Sequence, residues 1–190
     1  MSDARKLLEV VLECNQLKSI PRMGWMVRGV RDGESVAEHS YAVALLSMML
    51  ADRLDIPVDR EKVLRIAILH DLPEYVTGDI HAPATKVLGE DAKQAAEERI
   101  LERLFAKVEG GSEYVTLWRE FADRSSVEGR LVRAADKLEM FTQAYEYELE
   151  GNHKIEDFWD YEDNTRDFDF VEIRELYEEL RALRRETLGR

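Results

Sequence analysis

Only four prolines and ten glycines interrupt 190 residues, and most of them fall between stretches whose apolar residues recur at helical spacing. Long segments of that kind leave little besides an all-α fold, a bundle of packed helices. Leu7, Leu8, Val11 and Leu12 give residues 3–17 an apolar stripe. Ser35-Val36-Ala37-Glu38 has the form of a capping box and opens a helix that runs through Val43, Leu46, Met49 and Leu50 to about Leu54. After Pro57 a helix from about Asp59 carries Val63, Leu64, Ile66, Ala67, Ile68 and Leu69. It is apolar on nearly every side, which predicts burial in the middle of the bundle. Pro73 disfavours helix at Leu72, so this helix should break near His70. Loops are expected over 19–25 and 77–83, and helices over 90–108 and 114–122. A second capping box, Ser125 with Glu128, opens a helix to about Glu150 that Gly151 closes. Residues 155–170 read as an irregular segment pinned by aromatics, and 171–188 as a charged surface helix. The length suits one domain over 1–190 with that helix as a C-terminal extension.

Lys and Arg number 27 against 40 Asp and Glu, a formal net charge of −13. Such a balance argues against a nucleic-acid polymer as partner, because that requires a positive surface to displace counterions. It argues equally against docking on an anionic membrane. An anionic small-molecule substrate would need a locally positive site, from a metal or a few arginines. Cys14 is the single cysteine, so no intrachain disulfide forms and a reducing, cytoplasmic setting is expected. The N-terminus lacks the layout of a signal peptide.

The histidines are His39, His70, His81 and His153. His70 and Asp71 end the most apolar helix of the chain, where buried polar groups need partners. A metal ion is one such partner; a helix-end pair bonded to loop backbone is another. His39 lies in the first turn of an apolar helix. Asp136 stands in mid-helix, where propensity gives no reason for it. A surface ion pair with Arg133 or Lys137 is the plain alternative for Asp136.

The order of these residues, a His, then His-Asp about thirty residues on, then a distant Asp, resembles the HD-domain metal phosphohydrolases. Pro21-Arg22-Met23-Gly24-Trp25, Glu34-Ser35-Val36-Ala37-Glu38-His39-Ser40, His70-Asp71-Leu72-Pro73-Glu74 and Gly78-Asp79-Ile80 are similar to the HD-domain 5′-deoxynucleotidases. The resemblance spans nearly the whole chain. It implies an HD-type helical bundle and one divalent metal on His39, His70, Asp71 and Asp136. Two imidazoles and two carboxylates suit Mn²⁺, Co²⁺, Fe²⁺, Ni²⁺ or Zn²⁺. It implies Glu74 as the residue that orients water and moves its proton, and Arg22 as a phosphate clamp with a catalytic part. Trp25 would pack on the sugar or base, Asp79 would contact the sugar, and His81 would line the pocket. Relatives with two or three metals use extra histidines between the His-Asp pair and the last Asp; here only His81 lies there, so a single metal is expected. The implied reaction removes the 5′-phosphate from deoxyribonucleoside 5′-monophosphates, in a homodimer. Another phosphomonoester, a cyclic nucleotide, or a catalytically silent nucleotide-binding module are the alternatives.

Overall fold

The computed structural model describes residues 2–161 and 164–189. The described residues are helical, apart from loops and one isolated antiparallel bridge between Pro21 and Ser35. In chain order the helices are α1 (Asp3–Cys14), a 3₁₀ turn (Asn15–Ser19), α2 (Met23–Met26), α3 (Val36–Ala51), α4 (Arg60–Leu69) and α5 (Glu74–Thr77). There follow α6 (Ala82–Leu88), α7 (Glu90–Phe105), α8 (Ser112–Ala122), α9 (Val127–Leu149), a 3₁₀ stretch (His153–Asp160) and α10 (Val171–Leu188).

The axis of the bundle is α9, on which α3, α4, α8 and α10 all pack. Leu131, Val132, Ala134, Ala135, Leu138, Phe141 and Ala144 are buried along it, and the small alanines let neighbouring helices approach closely. The apolar run of α4 is less enclosed than its composition predicts. Val63, Ile66, Ala67 and Leu69 are buried, but Ile68 is 62% exposed, because α3, α8 and α9 cover only part of the helix.

Helix starts follow their caps. Ser35 and Glu38 form the expected capping box of α3, with Ser35 N–H donating to Glu38 Oε2 at 2.7 Å. At α9 the cap is Ser126 rather than Ser125, its Oγ accepting from Gly129 N–H at 3.0 Å. Glu128 instead accepts from Asp59 N–H and pairs with Lys62, tying the start of α9 to the start of α4. Gly129 is required there, since a Cβ would collide with the Glu120 carbonyl at the end of α8.

Two short helices occupy segments expected to be loops. In α6 a proline in the first turn, which reads as a breaker, is compatible with a helix start. In α2 the turn is initiated by Arg22, whose N–H donates to Glu34 O across the bridge. The 155–170 segment is partly 3₁₀ and is pinned by aromatics: Phe158 and Trp159 pack on Phe141, and Phe168 and Tyr177 join them. Residues 162 and 163 of that segment lie outside the described residues. The charged helix α10 buries Ile173 and Tyr177, and Arg184 grips the buried Glu148 of α9 through two bonds of 2.6 and 2.7 Å. Removing one partner of such a buried pair costs about 3–5 kcal/mol, so this contact fixes α10 on α9.

Candidate metal centre and active site

Four helix ends and faces converge on one point. The capping box fixes the first turn of α3 and with it His39, which is fully buried. The Nδ1 of His39 meets Glu139 Oε2 at 2.6 Å, which turns Nε2 toward Asp136 Oδ1 at 3.1 Å and Asp71 Oδ2 at 3.6 Å. His70 closes α4. Its Nδ1 lies 2.7 Å from the Ala67 carbonyl, and its own carbonyl accepts from Trp118 Nε1 at 3.1 Å. A carbonyl can only accept, so Nδ1 carries a proton, which leaves Nε2 as the ring nitrogen that a metal can take. That Nε2 is buried without a hydrogen-bond partner, 3.3 Å from Asp71 Oδ2. One nitrogen or oxygen from each of His39, His70 and Asp136 lies within 4.8 Å of the others. Asp71 flanks the cluster through Oδ2.

This donor set fits a divalent ion. Two imidazoles are held in the tautomer a metal needs, one by a carboxylate and one by a backbone carbonyl, as outer partners of metal-binding histidines usually are. An orphaned ring nitrogen aimed at two carboxylates is costly unless a cation meets it. The electrostatics agree. Burial pulls the His39 imidazolium down, but Asp136 and Glu139 outweigh it and hold the ring at about 10. Burial raises Asp71 and Asp136, yet His70 and Arg22 bring Asp71 below the ordinary carboxylate range, and Lys137 and His39 do the same for Asp136. The site holds its carboxylates ionised and binds positive charge.

Arg22 and Glu74 border the cluster. Arg22 is nearly buried, its Nη1 lying 3.1 Å from Asp71 Oδ2 and 3.8 Å from Asp79 Oδ1. Burial opposes its charge, but Asp79 and Asp71 reverse that effect and keep the guanidinium protonated. Glu74, at the start of α5, is 2% exposed. The break at Pro73 begins a new helical turn, and Glu74 N–H donates to Asp71 O. Burial first, then the Asp71 and Asp79 carboxylates, push Glu74 well above the ordinary value.

The remaining expected residues fall differently. Asp79 accepts from Met23 N–H at 2.6 Å, so one of its oxygens caps α2 and the other faces Arg22. Trp25, for which the resemblance implies a sugar or base contact, lies in the hydrophobic core. It is 2% exposed, packs on Tyr147 and Phe158, and donates from Nε1 to Glu34 Oε1 at 2.7 Å. His81 is half-buried as the N-cap of α6 and is not among the converging donors.

An HD-domain model matches residues 14–173, most of the chain. The chain belongs to the HD-domain family. Bovine 5′-deoxynucleotidase HDDC2 is 35% identical over 190 residues, covering 98% of this chain and 89% of that protein. Among solved structures, a conserved hypothetical protein from Pyrococcus furiosus is 39% identical with a TM-score of 0.80, covering 92% of this chain and 99% of that one. A predicted metal-dependent phosphohydrolase from Magnetospirillum magnetotacticum is 26% identical with a TM-score of 0.72, covering 99% and 94%.

In this HD-domain protein two acidic residues near the centre, Glu139 and Glu97, lie outside the quoted motifs, and a third, Glu34, lies inside one without an expected role. Glu139 orients His39 from one turn beyond Asp136 on α9. Glu34 lies on the same side, forming a second group of donors with His39 and Glu139; burial, then the Glu139 charge, push it up to about 7. Glu97 is buried on α7 beside Lys93. For Glu139 and Glu97 the signal in the sequence is spacing alone, Asp136 to Glu139 and Lys93 to Glu97 at one helical turn.

Proposed function

We propose that the chain, read as one HD-type unit over 1–190, is a metal-dependent phosphohydrolase that removes the 5′-phosphate from deoxyribonucleoside 5′-monophosphates. The observation that carries the reading is the convergence of His39, His70 and Asp136 donors, with the bare Nε2 of His70 buried among carboxylates. His39, His70, Asp71 and Asp136 would hold one ion of Mn²⁺, Co²⁺, Fe²⁺, Ni²⁺ or Zn²⁺. When bound, it supplies Lewis-acid polarisation of a phosphoryl oxygen and acidifies water. Arg22 binds the phosphate with the donors that Asp71 and Asp79 leave free, its fork fixed in advance by those two carboxylates. Glu74 orients the attacking water and accepts its proton. The name borne by the bovine relative supports the deoxynucleotide substrate.

A phosphate-release assay of dAMP, AMP and 3′-AMP with Mn²⁺ or Co²⁺ tests this reading. The expected order is dAMP above AMP, with 3′-AMP poor because its phosphate would lie beside the Asp79 carboxylate. Equal rates on AMP and dAMP would refute the sugar preference, and release from a cyclic nucleotide or another phosphomonoester alone would move the reading to that substrate. No release from any of them would leave a nucleotide-binding module.

The functional unit is proposed to be a homodimer in the cytoplasm. No helix among the described residues is long and apolar enough to cross a membrane. Leu7, Leu8, Val11 and Leu12 on α1 are each about half exposed, and Tyr41, Leu45, Met48 and Met49 form a second exposed apolar stripe on α3. Apolar stripes of this kind mark association surfaces. Sedimentation should give twice the chain mass, and Leu8→Glu with Leu12→Glu should shift it toward one chain if α1 is the seam; a monomeric wild type rejects the dimer.

A further inference from the structure

Lys93 and Glu97 stand against the site from α7, which also buries Leu101, Leu104 and Phe105. Glu97 is a buried carboxylate, and Lys93 Nζ lies 3.2 Å from its Oε1. The same ammonium lies 4.0 Å from Glu74 Oε1. The other oxygen of Glu74, Oε2, is buried with no hydrogen-bond partner. Oε1 of Glu74 thus faces a cation at ion-pair distance, beyond hydrogen-bond reach, while Oε2 is buried and bare. A bare buried carboxylate oxygen is costly unless something meets it, and a partly exposed i,i+4 Lys–Glu pair gives little net stability to explain its presence. Arg22, the other cation beside Glu74, is engaged by Asp71 and Asp79.

We propose that Lys93, held in place by Glu97, is a positioning residue that draws Oε1 of Glu74 toward α7 and so presents Oε2 to the water consumed in the reaction. The inference rests on the phosphohydrolase reading for its kinetic consequence. A lysine with three donors on a flexible stem can bridge two carboxylates at once, and Glu97 limits where the stem can go. Misplacing a catalytic group by about 1 Å costs on the order of 10²-fold in rate, so losing this tether should be felt in turnover. The proposal gives Lys93 no contact with the phosphate, which separates it from a binding role.

The test compares the metal-loaded wild type with Lys93→Met, Lys93→Arg and Glu97→Gln. Lys93→Met should lower kcat by about tenfold to a hundredfold, with KM, metal content and the inhibition constant of inorganic phosphate unchanged. Lys93→Arg keeps the charge and reach and should recover most of the loss, while Glu97→Gln should fall between. A raised KM or weaker phosphate inhibition in Lys93→Met would make Lys93 a substrate contact, and an unchanged kcat would remove it from the reaction; either result overturns the proposal. Crystal structures of the metal-loaded wild type and Lys93→Met give a readout independent of turnover. The Glu74 carboxylate should rotate away from its wild-type orientation in the variant, and an unmoved Glu74 overturns the proposal. If the wild type cleaves no nucleotide, the functional reading fails, and the crystallographic comparison still decides whether Lys93 positions Glu74.

Discussion

Substituting Glu74 with glutamine lowers turnover by about 10²–10⁴-fold and leaves the metal in place. Glutamine keeps the shape and one acceptor oxygen of the side chain but cannot take a proton. Glu74 belongs to neither converging donor group, and Asp71 rather than Glu74 is the carboxylate beside His39 and His70, its Oδ2 lying 3.6 and 3.3 Å from their Nε2 atoms. The loss should therefore fall on kcat rather than on metal content. The pH dependence gives a second signature. Burial and the Asp71 and Asp79 carboxylates raise the value at which Glu74 loses its proton. A base acts only after losing its proton, so activity rises with pH through that raised value. The residual activity of the glutamine variant should lack this acid limb. Near-normal turnover, measured as released phosphate across pH, would reduce Glu74 to a structural residue.

Replacing His70 or Asp136 with alanine abolishes turnover through loss of the metal. Each change removes one of three donors that lie within 4.8 Å of one another. The His70 change also leaves the Ala67 carbonyl without its ring N–H. Protons compete with the metal for the same centre. His39 holds its imidazolium up to about 10 without an ion, through Asp136 and Glu139 and against burial. A metal can take the Nε2 position only when that proton leaves, while the Nδ1 proton stays with Glu139. Below about pH 10, apparent affinity should therefore strengthen as pH rises, by about tenfold per pH unit for one displaced proton. Affinity independent of pH from 6 to 9, in buffers that do not bind the ion, would mean that no proton leaves His39 when the metal binds.

The resemblance of the ordered motifs around His39, His70, Asp71 and Asp136 to the HD-domain phosphohydrolases pointed to this cluster before any coordinates, and the fold brings donors of His39, His70 and Asp136 together. An Asp in mid-helix and a His-Asp pair ending an apolar helix both contradict local preference, and the fold brings them together. The residues that support them contradict nothing locally. Glu139 and Lys93 look like ordinary helix-surface charges until α3 packs on α9 and α7 packs on α5. For Trp25, three residues after Arg22, the resemblance implies a face on the sugar or base, whereas in the fold Tyr147 and Phe158 enclose it. Helix periodicity located the long helices, with α10 matching residue for residue. It missed α2 and α6 because a helix of four or seven residues has too few turns to show a period. The cap of α9 shifted from Ser125 to Ser126 because adjacent serines offer the same hydroxyl, and the choice was made by Glu128 turning to Asp59 and Lys62.

Metal analysis of the purified protein, wild type beside His70→Ala and Asp136→Ala after identical dialysis, tests the account at its centre. The wild type should retain about one divalent transition metal per chain, as expected for four ligands around one ion, and both variants should retain almost none. Full occupancy in either variant would contradict the placement of the metal on that residue, and with it the site from which the proposed reaction is drawn.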